Sequence, residues 1–276
     1  MFENLLAGGL AGALSRTCVA PLELYKIQSQ ANYIPNASWR QVIKKEGMRN
    51  LWKGNFTNCV RIAPQIAVNF TTFEYMKSNL EIENKDIKNL MAGATAGSVS
   101  MTAIYPLETI RTRLSLQTNK SHYNGIWNCF RTMKLREMYG GLRTSLIGFT
   151  PYMALNFALY HRLKEALNKK TKSHTSLNET SINLLSGGLS GLGAVTITYP
   201  TDLIRRQLQL QGFDPTVPKY DGIYDCTKKI IKTQGIRGLY RGLLPCYITN
   251  FPKFAIQFWA FEYFQKHFNN LKEMAP

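Results

Sequence analysis

Three stretches of this 276-residue chain repeat one pattern: a proline, an acid two residues on, and a base three residues after the acid. They read Pro21-Leu22-Glu23-Leu24-Tyr25-Lys26, Pro106-Leu107-Glu108-Thr109-Ile110-Arg111 and Pro200-Thr201-Asp202-Leu203-Ile204-Arg205. Glycines precede each proline at the same two offsets, as Gly8 and Gly12, Gly93 and Gly97, and Gly187 and Gly191. A ruler of that length held three times specifies one unit of roughly ninety residues used three times. The expected boundaries are 1–82, 83–172 and 173–276. Glycines four apart share one helix face and admit a neighbouring backbone. Proline bends the helix that contains it, and an acid and a base three apart share a face. Three such bent helices can close a ring of ion pairs about a central axis. The competing reading is a soluble solenoid with ordinary surface pairs, which does not call for a proline and two glycines at fixed offsets.

A second pattern follows in register. Leu51-Trp52-Lys53-Gly54, Met138-Tyr139-Gly140-Gly141 and Leu239-Tyr240-Arg241-Gly242 each precede, at equal spacing from the final glycine, Pro64, Pro151 and Pro252. Each unit therefore holds two kinked helices. The stretches Asn36 to Lys45, Tyr123 to Leu135 and Tyr220 to Thr233 are long enough for short amphipathic helices between them. Candidate spans are 2–30, 54–79, 88–117, 141–167, 179–210 and 242–268, with polar linkers at Glu81–Lys88 and Asn168–Thr180.

An apolar content of 45% looks soluble, and no segment offers eighteen clean apolar residues. A bundle around a wet cavity must carry charge on its inner faces, however, and charge within a span costs about 2.5 to 3.5 kcal/mol per residue. Basic residues concentrate inside the units, among them Arg40, Lys44, Lys45, Arg49, Arg131, Lys134, Lys228, Lys229 and Lys232, and are fewer between units. The internal connections should face the more negative side, with both termini opposite. The sequence opens directly on the first helix, so we expect neither a cleaved leader nor a calcium-sensing N-terminal domain.

The formal charge of +17 admits two classes of partner. Nucleic-acid binding needs an exposed basic stripe, whereas Arg16, Arg61 and Arg206 fall within apolar helices. A cavity of one charge sign concentrates anions instead, which suits a phosphorylated metabolite. Enzyme signatures are absent: His122, His161, His174 and His267 show no metal-ligand spacing and no phosphate-binding glycine loop occurs. No cofactor or metal site is expected. Five cysteines, odd in number and unpaired in spacing, argue against disulfides or zinc and read as small packing residues.

Three copies of P-x-[DE]-x-x-[KR], each followed by an aromatic-x-glycine signature, resemble the mitochondrial carrier family over essentially the whole chain, closest in motifs to its adenine nucleotide, ATP-Mg/phosphate and coenzyme A group. The resemblance implies an all-α membrane protein with six tilted, kinked transmembrane helices in three pseudo-threefold repeats, and three short matrix-side amphipathic helices. It implies a monomeric, multi-pass carrier in the mitochondrial inner membrane that opens alternately to either side. The matrix gate would be Glu23, Lys26, Glu108, Arg111, Asp202 and Arg205, braced by Gln30 and Gln209, with Ser115 at the third brace position. The cytoplasmic gate, aromatic-acid-x-x-base in the family, is whole at Phe73-Glu74-Tyr75-Met76-Lys77. It is damaged at Tyr160-His161-Arg162-Leu163-Lys164 and Phe261-Glu262-Tyr263-Phe264-Gln265. Glu74, Lys77, Lys164 and Glu262 remain, so this second gate should be weaker and the resting carrier open to the cytosol.

Family contact residues precede the prolines of the even helices, which here gives Arg61, Gly148 with Phe149, and Thr249. A glycine beside a large apolar residue resembles the adenine slot of nucleotide carriers. Phe149 departs from the usual aliphatic residue, and its ring could stack on a base; helix packing is the alternative for Gly148. Arg61 can fork onto phosphate oxygens. Ser15-Arg16-Thr17 resembles the first helix of nucleotide and coenzyme A carriers, where the base faces the cavity, and Arg206 should point past the gate toward the ligand. Thr249 stands where many such carriers have a base, and Lys253 is the candidate to replace it. Tyr152 and Asn69 are further candidates. Trp52-Lys53-Gly54 and Tyr240-Arg241-Gly242, with Tyr123-Asn124-Gly125 and Tyr220-Asp221-Gly222, resemble cardiolipin sites. Tyr139-Gly140-Gly141 lacks the base, so one lipid site should be weak. The implied function is exchange of adenine-type nucleotides, with coenzyme A, thiamine pyrophosphate or a deoxynucleotide as alternatives within transport. A membrane-embedded scaffold that kept the fold is the alternative outside it.

Overall fold

Proline, which ends most helices, is carried through here inside long helical segments. The computed structural model describes residues 2–31, 43–44, 47–117, 123–174, 179–213 and 218–274, and among them every regular element is helical. The elements are α1 (Phe2–Ala31), α2 (Asn55–Val60), α3 (Ile62–Asn79), α4 (Lys85–Leu116), α5 (Ile126–Thr132), α6 (Leu135–Met138), α7 (Leu142–His174), α8 (Glu179–Leu210), α9 (Ile223–Gln234) and α10 (Leu243–Met274). Pro21, Pro106, Pro151, Pro200 and Pro252 all lie inside long helices. Asn84 starts α4 by accepting from the backbone N–H groups of Asp86 and Ile87 at 3.0 and 3.2 Å.

Several boundaries differ from those read in the sequence. The stretch 54–79 is interrupted at Arg61 between α2 and α3, where Pro64 cannot donate to the preceding turn. The polar linker expected at Asn168–Thr180 is partly helix, since α7 runs to His174. The amphipathic segment Tyr123–Leu135 yields the short α5, and Tyr220–Thr233 yields α9. Asn36–Lys45 lies mostly outside the described residues.

Packing is most extensive between consecutive units and between last and first: α3 on α4, α7 on α8, and α10 on α1. The C-terminal ends of α1, α4 and α8 converge on a buried cluster of Ile27, Leu116, Leu210 and Phe213, which seals the axis at that end.

The glycine before each even helix explains the join. Gly54 has φ +76°, and a Cβ there would sit 2.4 Å from Ser115 Oγ on α4. Gly141 meets Arg205 O on α8 at 2.8 Å, and Gly242 meets Gln30 Cγ on α1 at 3.1 Å, both also at positive φ. Left-handed backbone and close approach together admit only glycine.

Beside an apolar core that includes Leu24, Ile110 and Leu203, the bundle buries polar groups and exposes large apolar ones. Ser15, Gln30, Thr109, Thr112, Arg113, Gln209 and Thr249 are buried, while Leu10, Val99, Ile147, Leu189, Ile197, Leu244, Phe251 and Trp259 are exposed. Exposed apolar surface on that scale marks contact with a partner or a membrane. Judged by length and apolarity alone, no helix among the described residues is long and apolar enough to cross a membrane.

Candidate functional site

The threefold motif delivers its charges to one level of the bundle, just past each proline bend. One unit's acid meets the next unit's base: Glu23 pairs with Arg111, and Glu108 with Arg205. The ring is incomplete, because Asp202 and Lys26 form no ion pair among the described residues. Both line a cavity of about 210 Å³ at this level.

Each paired acid holds a second cation from an even helix. Arg61 Nη1 lies 3.1 Å from Glu108 Oε2, and Lys253 Nζ lies 3.6 Å from Glu23 Oε1. Asn58 Nδ2 donates to Glu23 Oε2 at 3.1 Å and in turn accepts from Arg16 Nη1, on Oδ1 at 3.2 Å and on its carbonyl at 3.1 Å. Arg16, Lys26, Arg61, Arg111, Arg205, Arg206 and Lys253 thus face three carboxylates, Glu23, Glu108 and Asp202. The side chains of the paired groups on Glu23 and Glu108 are only 12 to 25% exposed, so Coulomb terms are far stronger than in water. Arg61 Nε and Arg205 Nε are buried with no hydrogen-bond partner. The cluster gathers more cations than carboxylates at one level of the bundle, and the carboxylates hold part of them.

Several expected residues take other roles. Gln30 and Gln209 do not brace the ion pairs. Gln30 Oε1 accepts from Arg206 Nε at 3.4 Å, and Gln209 Oε1 accepts from Arg206 Nη1 at 2.9 Å. Arg206 also reaches Thr112, so its guanidinium is tied to these three groups while it lines the same cavity. Ser115 donates to the carbonyls of Lys53 and Arg111 at 3.2 and 2.8 Å.

Gly148 does not open a slot: a Cβ there would lie 2.2 Å from Thr201 Oγ1, so it is the contact between α7 and α8. The Phe149 ring fills the hollow at Gly97, where a Cβ would lie 2.3 Å from Cζ. The Thr249 hydroxyl is directed at the carbonyls of Pro245 and Leu22, at 2.7 and 3.2 Å. Tyr152 is half-buried and makes none of the hydrogen bonds above.

On the opposite side, none of Glu74, Lys77, Lys164 and Glu262 forms an ion pair among the described residues. Lys77 Nζ instead sits 5.8 Å over the Phe73 ring and Lys164 Nζ 5.9 Å over Tyr160.

Two kinds of residue escaped the sequence reading. The tyrosines just before two prolines, Tyr105 and Tyr199, are fully buried cross-ties. Tyr199 Oη donates to Arg241 O at 2.9 Å and accepts from Gln30 Nε2 at 3.1 Å. Tyr105 Oη donates to Gly140 O at 3.0 Å and accepts from Gln209 Nε2 at 3.1 Å. Their rings stack on Tyr240 and Tyr139. The signal was present as tyrosine before proline in two units against Ala20 in the first, where Trp52 Nε1 donates to Thr17 O at 2.9 Å instead. Arg113, 1% exposed, donates to the carbonyls of Gln209 and Gln211 and pairs with Glu137 at 3.0 Å. It has glutamine at the equivalent positions of the other units, Gln28 and Gln207, so the repeat did not flag it.

Comparison with known proteins agrees with this threefold construction. The family model described as mitochondrial carrier protein matches three consecutive segments, residues 1–84, 83–171 and 177–272. The mitochondrial adenine nucleotide transporter of Arabidopsis thaliana is 35% identical over 299 aligned residues, covering 94% of this chain and 85% of that protein. Mitochondrial substrate carrier family protein P of Dictyostelium discoideum is 31% identical, covering 97% of this chain and 95% of its own length. The mitochondrial adenyl nucleotide antiporter of Mus musculus is 33% identical over 95% of this chain, which spans 57% of that longer protein. The chain belongs to the mitochondrial carrier protein family.

Proposed function

We propose that this protein exchanges adenine-type nucleotides across the mitochondrial inner membrane, as a multi-pass monomer that opens alternately to either side. The observation that carries the reading is the double use of the gate carboxylates. Glu108 holds Arg61 as well as Arg205, and Glu23 holds Lys253 as well as Arg111. A polyphosphate that recruits Arg61, Lys253 and Arg16 strips each acid of one of its two cations, so binding weakens the closed gate. That is differential affinity for two conformations, which is all that transport requires of binding. The relatives named for adenine nucleotides support the substrate class.

The many large apolar side chains on the outside of the bundle support membrane residence. In this reading the six long helical segments span the bilayer, and the ion-paired end faces the matrix. The unpaired Glu74, Lys77, Lys164 and Glu262 leave the cytosolic side open. Cardiolipin would seat at the N-terminal ends of the even helices, most weakly at Gly141, where the preceding base is missing. Purified protein in liposomes loaded with ATP tests the assignment. Uptake of labelled ADP or ATP in exchange is expected, whereas uptake of a dicarboxylate with none of any nucleotide refutes it.

A further inference from the structure

A second cavity, about 370 Å³ in volume, lies between α1, α3 and α10, with Arg16 at its inner end. A nucleotide needs somewhere to put its base, and the hollow expected at Gly148 is filled by Thr201 while the Phe149 ring is spent on Gly97. This cavity is within the size of small-ligand sites.

The threefold repeat places a primary amide five residues after each even-helix proline: Asn69, Asn156 and Gln257. The symmetry is broken by their partners. Asn156 Oδ1 accepts from Ser190 Oγ at 2.9 Å across to α8. Asn69 and Gln257 both line the cavity and are exposed to it, and no hydrogen bond joins either side chain to another described residue, so their amides are free to meet a ligand. A third amide, Gln65, lines it as well; it holds Ser100 through its backbone carbonyl, leaving the side chain unpartnered. Phe70 and Phe73 supply apolar ring faces. At Gly12 the nearest atom a Cβ would meet is Ile62 Cδ1 at 3.5 Å, so the wall there is smooth backbone.

We propose that this cavity receives the base of the transported nucleotide, with the amides of Asn69, Gln65 and Gln257 reading the adenine edge and the Phe70 and Phe73 rings covering its faces. A primary amide presents a donor beside an acceptor, the complement of the adenine N6 and N7 pair. The guanine O6 and N7 pair offers two acceptors and calls for a cation. A base seated here directs its phosphates along α1 past Arg16 toward Arg61 and Lys253. The inference rests on the nucleotide-exchange reading above and adds where and how the base is chosen.

The test is competition by ADP, GDP and inorganic pyrophosphate against labelled ATP uptake in proteoliposomes, for the wild type and for Asn69→Ala, Asn69→Asp and Gln257→Ala. We expect ADP to compete roughly tenfold less well for each amide removed, equivalent to about 1.4 kcal/mol. The preference for ADP over GDP should shrink, and competition by pyrophosphate should be unchanged in the alanine variants. Asn69→Asp keeps shape and packing where the alanine variant does not fold; its added negative charge weakens all three competitors, so its readout is the ADP-to-GDP ratio alone. Nucleotide exchange with an unchanged ADP-to-GDP preference in these variants overturns the base site and leaves the exchange function standing. An equal loss of ADP and pyrophosphate competition in the alanine variants also overturns it, since the amides would then be structural. Exchange of no nucleotide by the wild type removes the function and the base site together.

Discussion

Replacing Glu108 by glutamine removes one carboxylate and leaves two buried guanidinium groups, Arg61 and Arg205, without their counter-ion. The amide is nearly isosteric and can still accept one hydrogen bond, so the loss is of charge rather than of packing. Breaking a fully buried pair costs about 3 to 5 kcal/mol. The three side chains here are 12 to 15% exposed, and water relieves part of the cost, so about 3 kcal/mol is the working figure. That shifts the balance between closed and open gate by about a hundredfold. It lowers the unfolding midpoint by about 6 to 12 °C for a chain of this size. Asp202→Asn is the internal comparison: Asp202 forms no ion pair among the described residues, so its neutralisation should cost below about 1 kcal/mol and shift the midpoint by no more than about 4 °C. The assay is thermal unfolding of both variants in the same detergent, followed by the reactivity of the native thiols. Equal destabilisation by the two substitutions would refute the argument, because it would mean that all three acids are engaged alike and that the open third pair is not a property of the gate.

Gly54→Ala forces a side chain into left-handed backbone and against Ser115 Oγ, and should destabilise the fold by about 1 to 2 kcal/mol, read as a lower midpoint. A midpoint equal to wild type counts against the tight α2–α4 join. The thiols of Cys129 and Cys226 are buried, and burial pushes them up to about 11 and about 12. Maleimide should therefore leave both unlabelled between pH 7 and 9 in folded protein and label them in SDS, as peptide mass mapping would record. On α9, the Lys229 ammonium 2.8 Å away holds the Asp225 carboxyl below its ordinary value, and Asp225 holds Lys229 above its own. The contribution of Asp225 is lost as pH falls through its depressed value, and that of Lys229 as pH rises through its elevated one. The pair is thus fully present between the ordinary values of 3.8 and 10.5. Asp225→Asn should reduce the acid-side fall in thermal stability, and an unchanged pH profile would dispose of the pair.

Periodicity sufficed for the helical class and for the family, because a ruler of glycines, proline, acid and base states which face of each helix is crowded, where it bends, and where its charges lie. It also carried the second ruler, since Gly54, Gly141 and Gly242 are required by local backbone as much as by packing. What periodicity leaves open is any property that depends on which neighbour arrives. Glu23 and Glu108 find bases on the next unit, while Asp202 and Lys26 do not meet, although the three motifs are equivalent as text. Arg206 is adjacent to Arg205 yet makes no ion pair among the described residues; its guanidinium is tied to Gln30, Thr112 and Gln209, which come from three different helices. Gly148 looks like a space for a ligand and is a space for Thr201. Asn69, Asn156 and Gln257 share one register, and only Asn156 has a serine opposite it. A repeat supplies the same groups three times over. Close packing of bent helices is what makes their surroundings unequal, and those inequalities decide which charges are shared, which amides stay unpartnered and where a ligand has room.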